Sequence, residues 1–177
     1  MASDNYFQLF GLPPRYALDN SVLEKTWREL AAKVHPDRYA TASPAERRVA
    51  MQWASTINEA YRVLKMPLNR ARYLCELSGC DLQAESNTRM DDGFLMRQME
   101  WRERLDHARE KHRVDVFDSL EEDIRRSRAE MHDAMIRLID QKHDYEQASD
   151  KVREWMFVEK FSQEVQSAHH DLNDRKN

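Results

Sequence analysis

The sequence predicts an all-helical protein in two parts, and three observations carry that reading. Only 3 glycines and 5 prolines punctuate the 177 residues, too few for a turn-rich sheet protein. Apolar residues recur at three- and four-residue intervals along most of the chain, the spacing of helices with one buried face. Every proline lies at or before Pro67 and the last glycine is Gly93, so residues 94–177 contain neither breaker. The expected architecture is a helical hairpin with short flanking helices in residues 1–78, a connection over 79–92, and an antiparallel three-helix bundle in 93–177.

In the first part, Asn5-Tyr6-Phe7-Gln8-Leu9-Phe10 is a short aromatic segment ending at Gly11. It reads as a helical turn or two that plugs a small core, closed by Pro13-Pro14. Asp19 or Asn20 caps the next helix, with Leu18 ahead of it as a hydrophobic staple. That helix runs from about Ser21 to Val34, its buried stripe formed by Leu23, Trp27, Leu30, Ala31 and Val34. Pro36 ends it, having no N–H to give and pushing His35 out of the α region. Ser43-Pro44-Ala45-Glu46 then starts another helix: Ser43 caps, Pro44 suits the first position, and Glu46 completes a capping box. This helix continues to about Lys65 and buries Val49, Trp53 or Ala50, Ile57, Ala60, Tyr61 and Leu64. Pro67 interrupts the pattern, which resumes with Leu68, Ala71, Leu74 or Cys75, and Leu77 inward.

The second part asks for three helices. The first spans about Asp91 to Glu110 on Phe94, Met99, Trp101 or Arg102, Leu105 and Ala108. The second starts near Val114 with Phe117, Leu120 or Glu121, Ile124, Met131, Met135, Leu138 and Ile139. The third carries Tyr145, Ala148, Val152, Trp155, Val158, Val165, Ala168 and Leu172. Arg109–Arg113 and Gln141–Asp144 are the turns. A single unbroken helix here would be ~126 Å long at the α-helical rise and would need regular heptads. The spacing is not regular, which favours the bundle. Leu95 and Met96 beside Phe94, Met99 one turn on, and Met156-Phe157 beside Trp155 exceed what one core-facing stripe absorbs. They are either a wide core or an adaptable contact surface, with Glu100, Glu103 and Arg104 as a polar rim.

Charged residues make up 34 % of the chain and the hydrophobic set 41 %, a balance that points to a soluble folded protein. No apolar run approaches a membrane span, and Met1-Ala2-Ser3-Asp4 lacks the features of a secretory signal. Cys75 and Cys80 form neither a disulfide framework nor a complete zinc site, so a cytoplasmic location is expected. Residues 1–80 carry 11 Lys and Arg against 8 Asp and Glu, and the remainder 17 against 24. An acidic second half argues against nucleic acid as the common partner and favours two separate partner surfaces.

Catalytic constellations are unconvincing. There is no His-Glu-x-x-His, no Gly-rich phosphate loop and no dinucleotide fingerprint. His107, His112, His132, His143, His169 and His170 sit in charge-rich helices and read as mostly solvated. No metal or cofactor is expected. His35-Pro36-Asp37-Arg38 is different in kind: it holds a histidine and an aspartate at fixed spacing on either side of a proline, between two amphipathic helices. No Ser or Cys stands beside it as a nucleophile, so the turn reads as a recognition element. Lys25, Arg28 and Lys33 gather opposite the buried stripe of the preceding helix, with Glu29 among them. From charge alone that face is equally a solvated one.

Tyr6-Phe7-x-Leu9-Phe10-Gly11-Leu12, the helix ending at Val34, and His35-Pro36-Asp37-Arg38 together resemble a J domain, the module that stimulates the ATPase of DnaK-type chaperones. The wider chain resembles the HscB co-chaperone family of iron–sulfur cluster biogenesis. The segments that carry this likeness are Asp4-Asn5-Tyr6-Phe7, Thr56-Ile57-Asn58-Glu59-Ala60-Tyr61, Pro67-Leu68-Asn69-Arg70-Ala71-Arg72-Tyr73-Leu74 and Phe94-Leu95-Met96-Arg97-Gln98-Met99-Glu100. The resemblance implies an L-shaped molecule whose J domain engages a dedicated, HscA-like DnaK-type chaperone and whose bundle holds an IscU-like cluster scaffold protein. It implies chaperone contacts at His35, Pro36, Asp37 and Arg38, with Lys25, Arg28 and Lys33. It implies a scaffold patch of Leu95, Met96, Met99, Glu100, Glu103 and Phe157. Arg38 stands where many J domains have lysine, and Arg97 and Met99 vary the patch. Some eukaryotic members carry an N-terminal cysteine-rich metal module; with no room for one before Tyr6, a bacterial-type member is expected. The implied function is to deliver the scaffold to the chaperone and stimulate its ATPase. Two other readings compete: a general J-domain co-chaperone with a client-binding bundle, and a hydrolase or metal enzyme at His35 and Asp37, which would turn over without a partner.

Overall fold

The computed structural model describes residues 5–82 and 90–174. Among them are helices α1 (Tyr6–Leu9), α2 (Asn20–Lys33), α3 (Pro44–Lys65), α4 (Pro67–Leu77), α5 (Asp92–Lys111), α6 (Val114–Met135) and α7 (Tyr145–Asp174), and no strand. A 3-10 turn, Pro36–Tyr39, follows α2, and a π-helical segment, Ile136–Gln141, extends α6. No helix among the described residues is long and apolar enough to cross a membrane. The all-helical expectation holds. Residues 83–89 of the expected connection, 79–92, lie outside the described residues.

The helix ends follow local chemistry. Asn5 caps α1 and Asp19 caps α2, each side chain accepting from a backbone N–H of the first turn. Ser43 and Glu46 form the reciprocal capping box at the start of α3, with Pro44 in its first turn. α2 and α3 pair as a hairpin, tied by Trp27, which stacks on Tyr61 at 4.6 Å and donates from Nε1 to Asn58 Oδ1 at 2.9 Å. Asn58 and Tyr61 thereby gain a structural use within Thr56–Tyr61.

Two of the residues expected inward in the first part are exposed, Val49 and Leu77, while the alternatives offered beside them are buried. Ala50 is buried and Val49 exposed; Leu74 and Cys75 are buried and Leu77 exposed. In α2 only Leu23 is fully buried, while Trp27, Leu30, Ala31 and Val34 are half-buried against the core. A two-helix hairpin covers only one side of α2, so the rest of its stripe stays at the edge.

α5, α6 and α7 pack as the expected bundle. Phe94, Trp101, Leu105 and Ala108 face inward from α5, and Met99 does not. Phe161, absent from the expected stripe of α7, is buried and stacks on Trp101 at 5.4 Å. Ion pairs lace the seams: Arg97 to Glu130, Arg104 to Asp123, Arg102 to Glu164, and Arg128 to Glu159 in a fork of 2.8 and 2.7 Å. His169 is not simply solvated, since it stacks on Phe117 and its Nδ1 lies 3.2 Å from Glu121.

The two halves share one continuous core. α4 lies along α7, and Cys75 is buried at that seam. Burial pushes the Cys75 thiol up to about 11, against a Ser149 hydrogen bond that pulls it down. Arg70, only 3 % exposed, is the charged residue at the centre of the junction. Pro67 ends α3 and leaves its last carbonyls without helical partners. Arg70, one turn later, reaches back to them, donating from Nε to Leu64 O at 2.7 Å and from Nη2 to Lys65 O at 3.3 Å. It also donates to Tyr16 O at 2.6 Å and Asn20 Oδ1 at 3.1 Å. Burial lowers the guanidinium's pKa, opposed by the nearby Tyr16 and Asp140.

Candidate functional site

The His-Pro-Asp turn is built by backbone restriction. His35 sits at φ −59° and ψ 134°, the extended conformation that a following proline imposes. Pro36 begins the 3-10 turn, and Arg38 N–H donates to His35 O at 3.0 Å. The Asp37 N–H makes a long contact of 3.4 Å with His35 Nδ1, whose other neighbour is Asp37 Oδ2 at 3.5 Å. The Asp37 carboxylate, 91 % exposed, is thus presented outward. Pro36 and Arg38 are exposed beside it.

Lys25, Arg28 and Lys33 share the exposed face of α2, as expected. Arg28 is paired along the helix with Glu24, so part of its charge is already matched.

On the bundle, the surplus apolar residues of α5 resolve as surface rather than wide core. Leu95, Met96 and Met99 are 42, 72 and 65 % exposed, within one and a half turns. Phe157 of α7 is half-buried, edge-on to Phe94 at 6.0 Å and beneath the Arg102 guanidinium. Glu100 and Glu103 are exposed on the same outward side, Glu100 lying 3.8 Å from Arg104. Arg97 is drawn away to Glu130 of α6, at the seam rather than in the apolar patch.

These two surfaces belong to different units. Among the described residues no three His, Cys, Asp or Glu side chains gather as a metal-ligand set. Sequence reasoning passed over the junction residues Tyr16, Arg70 and Asp140, and it read His132 as mostly solvated, whereas His132 Nδ1 lies 2.7 Å from the Tyr16 hydroxyl. Arg70 lay inside a quoted motif, but a basic residue in a helix carries no signal of burial.

Residues 5–73 match the DnaJ domain family, and residues 90–166 match the family described as the HSCB C-terminal oligomerisation domain. A co-chaperone protein HscB homolog of Bordetella petrii is 58 % identical over 95 % of this chain and 98 % of its own. The chain belongs to the HscB co-chaperone family. A homolog of that name from Cupriavidus taiwanensis is 48 % identical over 97 % of each chain. Among solved structures, the chaperone HscB from Vibrio cholerae is 35 % identical, covers 95 % of this chain and 99 % of its own, and superposes with a TM-score of 0.73. Human co-chaperone protein HscB, at 23 % identity over 94 % of this chain and 82 % of its own, shares the fold with a TM-score of 0.86. HscB membership makes the chain a J-domain co-chaperone of iron–sulfur cluster biogenesis, in a co-chaperone rather than a catalytic family.

Proposed function

We propose that this HscB protein binds an IscU-like cluster scaffold through the α5 patch and carries it to a dedicated, HscA-like DnaK-type chaperone. The His-Pro-Asp turn then stimulates the chaperone's ATP hydrolysis. One observation carries the reading: an exposed apolar patch with acidic neighbours lies on the bundle, while the outward Asp37 lies on the other unit. A partner-binding surface needs apolar anchors inside a polar rim. Leu95, Met96, Met99 and Phe157 supply the anchors, and Glu100 and Glu103 the rim. Asp37 acts through a fixed polar contact, and Lys25, Arg28, Lys33 and Arg38 act mainly on orientation and association rate, with the salt sensitivity this entails.

The test is a double separation. Asp37→Asn should abolish stimulation of the chaperone's ATPase and leave scaffold affinity unchanged. Leu95→Ala with Met96→Ala should weaken scaffold binding by at least ~10-fold, the size of one or two interface anchors, and leave scaffold-free stimulation intact. Stimulation by Asp37→Asn at the wild-type level would refute the first assignment. Unchanged scaffold affinity in the double variant would refute the second.

A further inference from the structure

Along the buried face of α6 run Leu120, Ile124, Met131 and Met135, and the place between Ile124 and Met131 is taken by Ser127. Ser127 is 2 % exposed, and among the described residues its Oγ is the one buried side-chain oxygen or nitrogen without a hydrogen-bond partner. A serine or threonine inside a helix ordinarily donates its hydroxyl proton to the carbonyl one turn back. Thr26, Thr56, Ser78 and Ser149 do so here, bonding Val22 O, Gln52 O, Leu74 O and Tyr145 O. Ser127 does not, and it lines a groove between α5 and α6. Alanine would fill the same place without an unpaired buried hydroxyl, so packing alone gives no reason for serine.

The groove has a volume of about 270 Å³, where one water needs only roughly 10–15 Å³, so it admits a side chain. Its walls carry Arg97, Arg104 and Glu100 on α5, and Arg126, Asp123 and Glu130 on α6. These charges already neutralise one another. Arg104 lies 2.6 Å from Asp123 and 3.8 Å from Glu100, Arg97 3.3 Å from Glu130, and Arg126 3.9 Å from Asp123. A charged group entering would meet no unmatched opposite charge. An apolar one would leave Ser127 unpaired and strip water from the walls. A carboxamide is neutral and both donates and accepts, which matches a hydroxyl flanked by guanidinium N–H groups and carboxylate oxygens. The groove also adjoins the α5 patch. Successive helical residues turn by about 100°, which puts Met96 and Glu100 at the edge of the patch nearer α6, beside Arg97 and Arg104. Glu100 belongs to both surfaces.

We propose that the α5–α6 groove is the polar half of the scaffold's docking surface, in which a carboxamide side chain of the scaffold reaches Ser127 Oγ. This rests on the α5 patch holding the scaffold, as proposed above. The apolar anchors supply adhesion, and Ser127 supplies selection. A partner with no hydrogen-bonding group at that point covers the hydroxyl and leaves it unpaired, and sites built around a polar group reject such analogues strongly. The ion pairs of Arg97 and Arg126 are exposed and cost little to open as the side chain enters.

The experiment titrates a cluster scaffold protein, purified without cluster, into full-length wild type, Ser127→Ala, and Leu95→Ala with Met96→Ala, by calorimetry. Melting temperatures are measured beside it, and backbone amide shifts of the wild type are followed on adding scaffold. Ser127→Ala should melt at or above wild type, because it removes an unpaired buried hydroxyl, yet bind scaffold ~3–10-fold more weakly. Amide shifts should extend from α5 to residues 123–130 of α6. Scaffold affinity of Ser127→Ala within about twofold of wild type would overturn the inference. So would amide shifts confined to α5 and α7, or a lower melting temperature in Ser127→Ala, since the hydroxyl then has its partner within the chain. Unchanged affinity in the Leu95 and Met96 double variant would instead overturn the reading of the α5 patch beneath it.

Discussion

Replacing the buried Arg70 by methionine should be among the most damaging single changes at the junction, because it leaves two buried carbonyls unpaired. Arg70 donates to Leu64 O at 2.7 Å and Tyr16 O at 2.6 Å, and methionine fills similar space without a donor. Each buried carbonyl left unsatisfied costs about 1–3 kcal/mol. Part of this is offset because the guanidinium no longer has to be desolvated. The expected net loss is ~3 kcal/mol, a factor of ~150 in the unfolding equilibrium. For a chain of this size that is a melting shift of about 6–12 °C. Arg70→Lys keeps the charge but cannot fork between two acceptors, and should lose about half as much. Urea unfolding followed by far-UV circular dichroism measures the difference, with the slope against denaturant unchanged. An Arg70→Met protein within ~0.5 kcal/mol of wild type would refute the reasoning.

Two further predictions concern titration and thiol access. The Glu159 carboxyl is held below its ordinary value, first by hydrogen bonding to Arg128 and also by the Trp155 N–H, against a desolvation that raises it. A depressed folded-state value means stability present above the unfolded value, near 4.5, and lost as pH falls through the folded one. Glu159→Gln should therefore be less stable than wild type at neutral pH, with the gap closing below pH 4.5; a constant gap on descending to pH 3 would contradict the ion pair's role. Cys75 is fully buried with its thiol pushed up to about 11, whereas Cys80 is only half-buried. Iodoacetamide at pH ~8 should modify Cys80 and spare Cys75 in the native protein, and equal labelling of both would contradict the packing of α4 on α7.

The fold was legible where one local signal decided the outcome. The capping box at Ser43 and Glu46, the proline breaks at Pro36 and Pro67, and the helical spacing beyond Gly93 all act within a few residues. Val49 and Leu77, both expected inward, are exposed, because a helical stripe read from spacing is wide enough to admit residues at its edge. The His-Pro-Asp turn was legible for the same local reason. The α5 patch was legible because consecutive apolar residues cannot all face one core. The junction was not legible. Tyr16 meets Arg70 across 54 residues and Asp140 across 124, and no periodicity links a loop tyrosine to an aspartate in a π-helical segment. Arg70 and Asp140 each look like ordinary surface charge until the fold brings a partner to them.

ATP turnover by a DnaK-type chaperone of cluster biogenesis, measured with this protein and the scaffold added separately and together, tests the central claim most directly. The account predicts stimulation by both together well beyond the sum of the two alone, lost in Asp37→Asn and absent with a general DnaK-type chaperone. Equal stimulation of either chaperone, indifferent to the scaffold, would contradict it and leave a general J-domain co-chaperone.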